Sequence, residues 1–153
     1  MSVQAVRVDS DWGSYALEEL RRAGHRAGGA RTAVVELLAR QDCCLTAHEI
    51  FDGLRVEGRS VGIASVYRAL ELLTAMKLVQ RLEMGEGVAR YEPAHAGGEH
   101  HHHVVCERCG RVTAFEDDSL EAALDRLGDR LGYRVEGHEV VLRGACPDCS
   151  DSR

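Results

Sequence analysis

Glu99-His-His-His-His-Val-Val-Cys-Glu-Arg-Cys-Gly110 packs four imidazoles and two thiols into twelve residues. Its counterpart is Cys146-Pro-Asp-Cys149 near the C-terminal end. Two CxxC pairs, with residues 110–145 between them, are what a four-thiolate zinc site requires. Each tight pair supplies two sulfurs from one turn, and the fold brings the pairs together. Gly110 after the first pair and Pro147 inside the second suit the tight knuckles such turns need. This spacing assigns Cys106, Cys109, Cys146 and Cys149 to a structural zinc. Six cysteines in 153 residues with no signal peptide point to a reducing cytoplasm rather than a disulfide framework. A redox CxxC normally occurs singly on a thioredoxin-like βαβ pattern, which the pairing argues against.

The histidines carry a second argument. If residues 100–105 form a strand, as the β-branched Val104-Val105 pair suggests, side chains alternate faces with period two. His101 and His103 then point one way and His100 and His102 the other, so one strand feeds two metal sites. Neutral imidazole is the commonest metal ligand, and four in a row on a buried strand are costly without partners. The alternative is a solvated polar loop.

The chain length fits one average domain or two small ones. A hydrophobic content of 44% is enough for a core, and only seven aromatics leave that core mostly aliphatic. No apolar run reaches the length that crosses a membrane, so a soluble cytoplasmic protein is expected. The net charge of -6 does not advertise a nucleic-acid binder, but its distribution is informative. Residues 13–80 carry nine Lys/Arg against eight Asp/Glu, and residues 81–153 carry nine against fifteen. The acidity belongs to the histidine- and cysteine-rich half, where bound cations would offset it.

Residues 1–12 lack periodicity and read as a flexible start, with Trp12 offering an anchor. Ser14 can cap a first helix running to about Ala23, with Gly24 as its stop. A second helix spans about Ala30 to Arg40. After a turn through Asp42-Cys43-Cys44-Leu45, Thr46-Ala-His-Glu49 reads as a capping box opening a third helix. A fourth covers Val61 to Met76, where Ile63, Val66, Leu70 and Leu73 make one apolar stripe and Ser65, Tyr67 and Arg68 lie away from it. Such a series is a helix-turn-helix core. Leu78–Leu82 and Val88–Glu92 then read as a hairpin, which makes the module winged. The plain alternative is that Tyr67 and Arg68 only cover a helix surface.

The expected architecture is α+β: a winged helix-turn-helix at 13–92, a hinge at 93–99 and a small α/β unit at 100–153. In the last, Arg111–Phe115 is a second strand. Asp118-Ser-Leu-Glu121 can cap a helix with Leu120, Leu124, Leu127 and Leu131 on one stripe, closed by Gly132. Tyr133–Leu142 alternates as a third strand. A unit this small should need metal and a second copy of itself.

Taken in order, the winged helix, hinge, histidine strand, two CxxC pairs and small α/β unit resemble the ferric uptake regulator family of metal-sensing repressors. The most specific pieces are Val61-Gly-Ile-Ala-Ser-Val-Tyr-Arg-Ala-Leu70 and the run from His100 to Gly110, with Gly137-His138 and Arg143-Gly-Ala-Cys146 behind them. The likeness implies a cytoplasmic homodimer that binds palindromic double-stranded operator DNA, away from membranes, when loaded with a regulatory divalent metal. That metal is Zn2+ or Fe2+, with Mn2+ as a third candidate, and the structural ion is Zn2+. The family's structural ligands fall on the four CxxC cysteines, and its regulatory site on Glu92, His101 and His103. The remaining regulatory ligand, a histidine in iron-type members, falls on Cys44, and a thiolate suits zinc more readily than ferrous iron, which points to the zinc-uptake branch. A further carboxylate falls on Ala114 and is missing, with Glu116 out of register and His48 and His95 as conceivable substitutes. The second site in the dimerisation unit falls on His100, His102, Glu121 and His138, where His102 replaces a common aspartate. Tyr67 and Arg68 match recognition-helix contacts and Arg26 a basic residue near the first turn. Arg31 and Ser65 fit phosphate contacts by type and position.

Three rival readings differ in kind. A metallohydrolase would want a metal-bound water with a nearby base, and there is no HExxH. A peroxide-sensing repressor on the same scaffold draws on the adjacent Cys43-Cys44. A zinc-ribbon interaction module fits residues 100–149 but leaves the helix-turn-helix unexplained. No catalytic residue is expected.

Overall fold

The computed structural model describes residues 11–26, 28–85, 87–94 and 101–150. They form two compact units, one ending at Ala94 and the other beginning at His101. Residues 1–10 of the expected flexible start, His95, Glu99, His100 and all of the expected hinge except Pro93 and Ala94 lie outside the described residues. Among the described residues no helix is long and apolar enough to cross a membrane.

In the first unit, α1 (Trp12–Arg22), α2 (Gly29–Ala39), α3 (Ala47–Val56) and α4 (Ile63–Ala75) surround one aliphatic core. Helix α1 starts two residues before the expected Ser14 cap. Its N-cap is Asp11, without a side-chain hydrogen bond. A tertiary anchor replaces the local one: the buried Trp12 indole donates to the Leu78 carbonyl at 3.1 Å. Helix α2 buries Ala33, Val34, Val35, Leu37 and Leu38, more than one face, because it packs against α1, α3 and α4. The capping box at α3 forms as expected: Thr46 Oγ1 accepts from the Glu49 amide at 3.1 Å, and Glu49 accepts from the Thr46 amide at 2.8 Å. Gly53 lets α3 approach α2 closely, since a Cβ there would lie 2.9 Å from Leu37 Cδ1. Val66, Ala69, Leu70 and Leu73 of α4 are buried, which leaves Tyr67 and Arg68 on its outer face. Each fully buried leucine or isoleucine contributes about 1.5–3 kcal/mol, and Leu20, Leu38, Ile50, Leu54, Leu70 and Leu73 are all in that class.

Strands β2 (Val79–Glu83) and β3 (Ala89–Pro93) pair antiparallel as the wing, in the register Arg81 to Tyr91. A two-residue strand, β1 (Leu45–Thr46), adds to the other edge of β3, in the sheet order β1-β3-β2. Leu45 belongs to an expected turn and Thr46 to the expected cap; two residues carry no periodicity and are held as a strand only by pairing with Tyr91 and Arg90. A zinc-ribbon module alone does not describe a chain with this winged-helix unit.

The second unit contains β4 (His102–Cys106), β5 (Val112–Phe115), α5 (Asp118–Leu131), β6 (Val141–Gly144) and α6 (Pro147–Ser150), with sheet order β5-β4-β6. Strands β4 and β6 are parallel, so the chain must cross over between them, and α5 lies in that crossover. The N-cap of α5 is Asp117, which accepts from the Leu120 amide at 2.8 Å, one residue before the expected Asp118. Gly132 ends the helix at φ 73°, as expected. The expected strand over Tyr133–Leu142 is corrected: only its end, Val141 and Leu142, enters a ladder, and residues 133–140 are irregular. The alternating pattern is present, but β4 begins at His102, which the register sets opposite residue 140, so residues 133–139 run past its start. Tyr133 and Val135 stay exposed, as do Leu127 and Leu131 of the α5 stripe. Leu124, Leu127, Leu131, Tyr133, Val135 and His138 line an open groove of about 300 Å³. Among the described residues of this unit only Cys106, Ala114, Gly128, His102 and His103 are buried, so it has almost no aliphatic core.

Candidate metal centres and nucleic-acid interface

The parallel register Cys106 to Gly144 sets the first CxxC knuckle beside the second. The Glu107 amide donates to the Gly144 carbonyl at 2.8 Å, and Arg111 pairs with Asp148 at 2.8 Å. Each knuckle closes on its own backbone: the Gly110 amide donates to the Cys106 carbonyl at 2.8 Å, with Gly110 at φ 73°, and the Cys149 amide donates to the Cys146 carbonyl at 3.0 Å. The sulfurs of Cys106, Cys109, Cys146 and Cys149 lie within 4.8 Å of one another, and those of Cys109 and Cys146 are 3.8 Å apart. A tetrahedral ion with sulfur bonds of about 2.3 Å has edges of about 3.8 Å, so donor set and spacing both fit zinc. The Cys146 amide, 3.3 Å from Cys106 Sγ, is the main cause of a Cys106 thiol pulled down to about 6, with the Cys109 and Arg108 amides adding to it. Cys149 is pushed up to about 12, chiefly by sharing hydrogen bonds with the Cys146 and Cys109 thiols. Such a cluster is poised to hold negative charge in part and calls for a cation to hold it in full.

At the other end of β4, buried His102 lies 2.5 Å from Glu121 through Nε2, and His138 Nε2 lies 3.1 Å from the second carboxylate oxygen. Glu121 projects from the first turn of α5, and the His102 ring packs at 5.6 Å from Phe115 and 5.2 Å from His138. Three of the four residues expected at the second site therefore converge, their donor atoms within 4.8 Å. The fourth, His100, lies outside the described residues.

The alternation expected of the histidines holds on the described part of the strand. His101 and His103 rings meet at 4.9 Å, apart from His102 and its partners. His103 is buried and sits opposite Ala114 across the β4–β5 ladder, so the position of the expected carboxylate is a buried methyl. Glu116 lies exposed beyond the end of β5.

In the first unit, Cys44 immediately precedes β1, and Glu92 is buried on β3. Extending the Leu45 to Tyr91 register by one step sets residue 44 opposite residue 92. Cys44 is buried, and its thiol is pushed far up, first by the contact with the Cys43 thiol, then by burial, with the Glu92 charge adding to it. It is a neutral thiol until a cation displaces its proton.

The outer face of α4 presents Tyr67 and Arg68, and the Arg68 guanidinium donates to Ser65 Oγ at 3.1 Å. Arg26 is exposed after α1, and Arg31 donates to its carbonyl at 3.0 Å. His48 lies edge-on to the Tyr67 ring at 6.3 Å. The capping box fixes the start of α3 and so places His48 in its first turn, a signal already present in Thr46 and Glu49.

The profile of the Ferric uptake regulator family matches residues 22–143. The Ferric uptake regulation protein of Neisseria gonorrhoeae is 32% identical over 134 residues, covering 87% of this chain and 92% of the relative. Among solved structures, the Helicobacter pylori ferric uptake regulator Fur, described as having three functional metal binding sites, aligns with a TM-score of 0.82 at 26% identity, over 97% of this chain and 99% of its own. The Vibrio cholerae ferric uptake regulator aligns with a TM-score of 0.74 at 29% identity, over 85% of this chain and 98% of its own.

Proposed function

Since the chain belongs to the ferric uptake regulator family of metal-responsive transcriptional regulators, we propose that it is a repressor rather than an enzyme. It binds palindromic operator DNA in the cytoplasm as a homodimer when a regulatory divalent metal is bound, and so controls metal-uptake genes. The observation that carries this reading is a recognition-type helix with Tyr67 and Arg68 exposed, in a chain whose Cys, His and Glu residues gather into groups able to hold a metal ion.

Tyr67 and Arg68 read base edges in the major groove, while Arg26, Arg31 and Ser65 hold phosphates. The exposed apolar groove along α5 and residues 133–135 supports self-association, since an apolar strip of this kind is normally covered. Cys106, Cys109, Cys146 and Cys149 hold a permanent zinc that serves folding. Cys44, Glu92, His101 and His103 are the regulatory donors, with His102, Glu121, His138 and His100 as a second site in the dimerisation unit. A divalent ion bound to the regulatory donors supplies a rigid link among them. The donors then favour one separation of the two winged helices, which must span half-sites about 34 Å apart. Switching from mostly off to mostly on needs about 5 kcal/mol of differential binding between the two states. Cys44 inclines the site toward zinc over iron or manganese.

Footprinting on DNA upstream of metal-uptake genes tests the reading. A two-fold symmetric footprint that a chelator abolishes and zinc restores is expected. A footprint indifferent to chelation, or none at any metal level, would overturn it.

A further inference from the structure

Adjacent residues on an extended chain point to opposite faces, so neighbouring cysteines at a strand entry should hold their sulfurs apart. Here the chain bends at Asp42 and Cys43, and Cys43 Sγ lies 3.7 Å from Cys44 Sγ. That matches the edge of about 3.8 Å in a tetrahedral thiolate site and the 3.8 Å between Cys109 and Cys146. Cys44 is buried while Cys43 is only partly so, which leaves the pair a path to solvent for an entering ion. Glu92 is buried on β3, opposite Cys44 in the extended β1–β3 register.

We propose that Cys43 is itself a metal ligand, and that Cys43 and Cys44 form a chelating pair of thiolates within the winged-helix unit. This deepens the regulatory site proposed above and rests on it. One thiolate among imidazoles and carboxylates leaves the choice between zinc and ferrous iron to availability. Two thiolates on one ion commit it to thiophilic divalent metals, zinc among them, against Fe(II) and Mn(II). The bend at Asp42 and Cys43 is then the device that converts an ordinary strand entry into a chelating pair.

The test uses the full-length protein with zinc kept in the four-cysteine site, titrated anaerobically with Co(II). The readout is the sulfur-to-cobalt charge-transfer band in the difference spectrum. Cys43→Ser and Cys44→Ser should each remove about half of the band, one of two sulfurs, and the double variant all of it. Cys43→Ser should also weaken zinc in chelator competition by at least about tenfold, the loss that even a supporting group of a metal site causes. Cys43→Ala is run beside it, and both should unfold at the wild-type temperature because Cys43 lies outside the hydrophobic core. If Cys43→Ser keeps the full band and zinc affinity while Cys44→Ser abolishes the band, Cys43 is not a ligand and the regulatory site stands without it. If the double variant keeps both, the regulatory reading of this unit fails as well.

Discussion

Cys109→Ser separates packing from metal binding more cleanly than any other change in the second unit. Cys109 is exposed, so its side chain contributes little by burial. Substitution of an exposed residue away from special features stays within about 0.5 kcal/mol, or roughly 4 °C in a small domain. If Cys109 is one of four zinc ligands, the scale changes, because a structural zinc site is worth about 10–16 kcal/mol. Even a quarter of that is about 3 kcal/mol, a shift of well over 10 °C. The unit has little to fall back on, since Cys106 and Ala114 are its only buried apolar side chains among the described residues. The single tryptophan, Trp12, is buried in the first unit, so its fluorescence follows that unit alone. Thermal unfolding of Cys109→Ser should therefore split: tryptophan fluorescence keeps its wild-type midpoint while part of the helical ellipticity melts far earlier. Elemental analysis should find the zinc lost. A variant that melts within about 4 °C of the wild type by both probes, with zinc retained, would refute the argument.

Leu70→Ala removes a fully buried side chain from the winged-helix core and should cost about 2–5 kcal/mol, read as a lower urea midpoint of Trp12 fluorescence; a loss under about 1 kcal/mol would mean the core repacks around it. Glu121→Gln takes a carboxylate from between His102 and His138 and should weaken metal at that site by about 10–100-fold in calorimetric titration; an unchanged isotherm would remove Glu121 from the ligand set. Arg68→Ala should weaken operator binding by about 1–3 kcal/mol and relax the base preference at one position of each half-site; a uniform loss across sequences would make Arg68 a phosphate contact instead.

The parts legible in the sequence are those whose signal is local. The Val66, Leu70 and Leu73 stripe, the Thr46 and Glu49 capping box and the Gly132 stop each follow from spacing or backbone preference, and each appears where expected. The two CxxC pairs were equally readable, because ligand spacing within a knuckle is set by the turn itself. Where tertiary contacts decide, the sequence was silent or misleading. Trp12 reaches Leu78 and draws the start of α1 past Ser14. Leu45 and Thr46 become a strand only because Tyr91 and Arg90 lie beside them. Residues 133–140 alternate like a strand, yet nearly all of them run past the start of β4 at His102. The meeting of Glu121 with both His102 and His138 joins a helix, a strand and a loop, and came from family likeness rather than from spacing.

The most direct test of the account is operator affinity, measured by fluorescence anisotropy at one fixed salt concentration and under anaerobic conditions, as buffered free Zn(II), Fe(II) and Mn(II) are varied. Salt is held constant because phosphate contacts make such affinities steeply salt-dependent. Tight binding is expected at the lowest free concentration with Zn(II), with reversal by chelator and a higher zinc requirement in Cys44→Ser. Binding that ignores metal, or activation by Fe(II) or Mn(II) at equally low levels with Cys44→Ser unchanged, would contradict it.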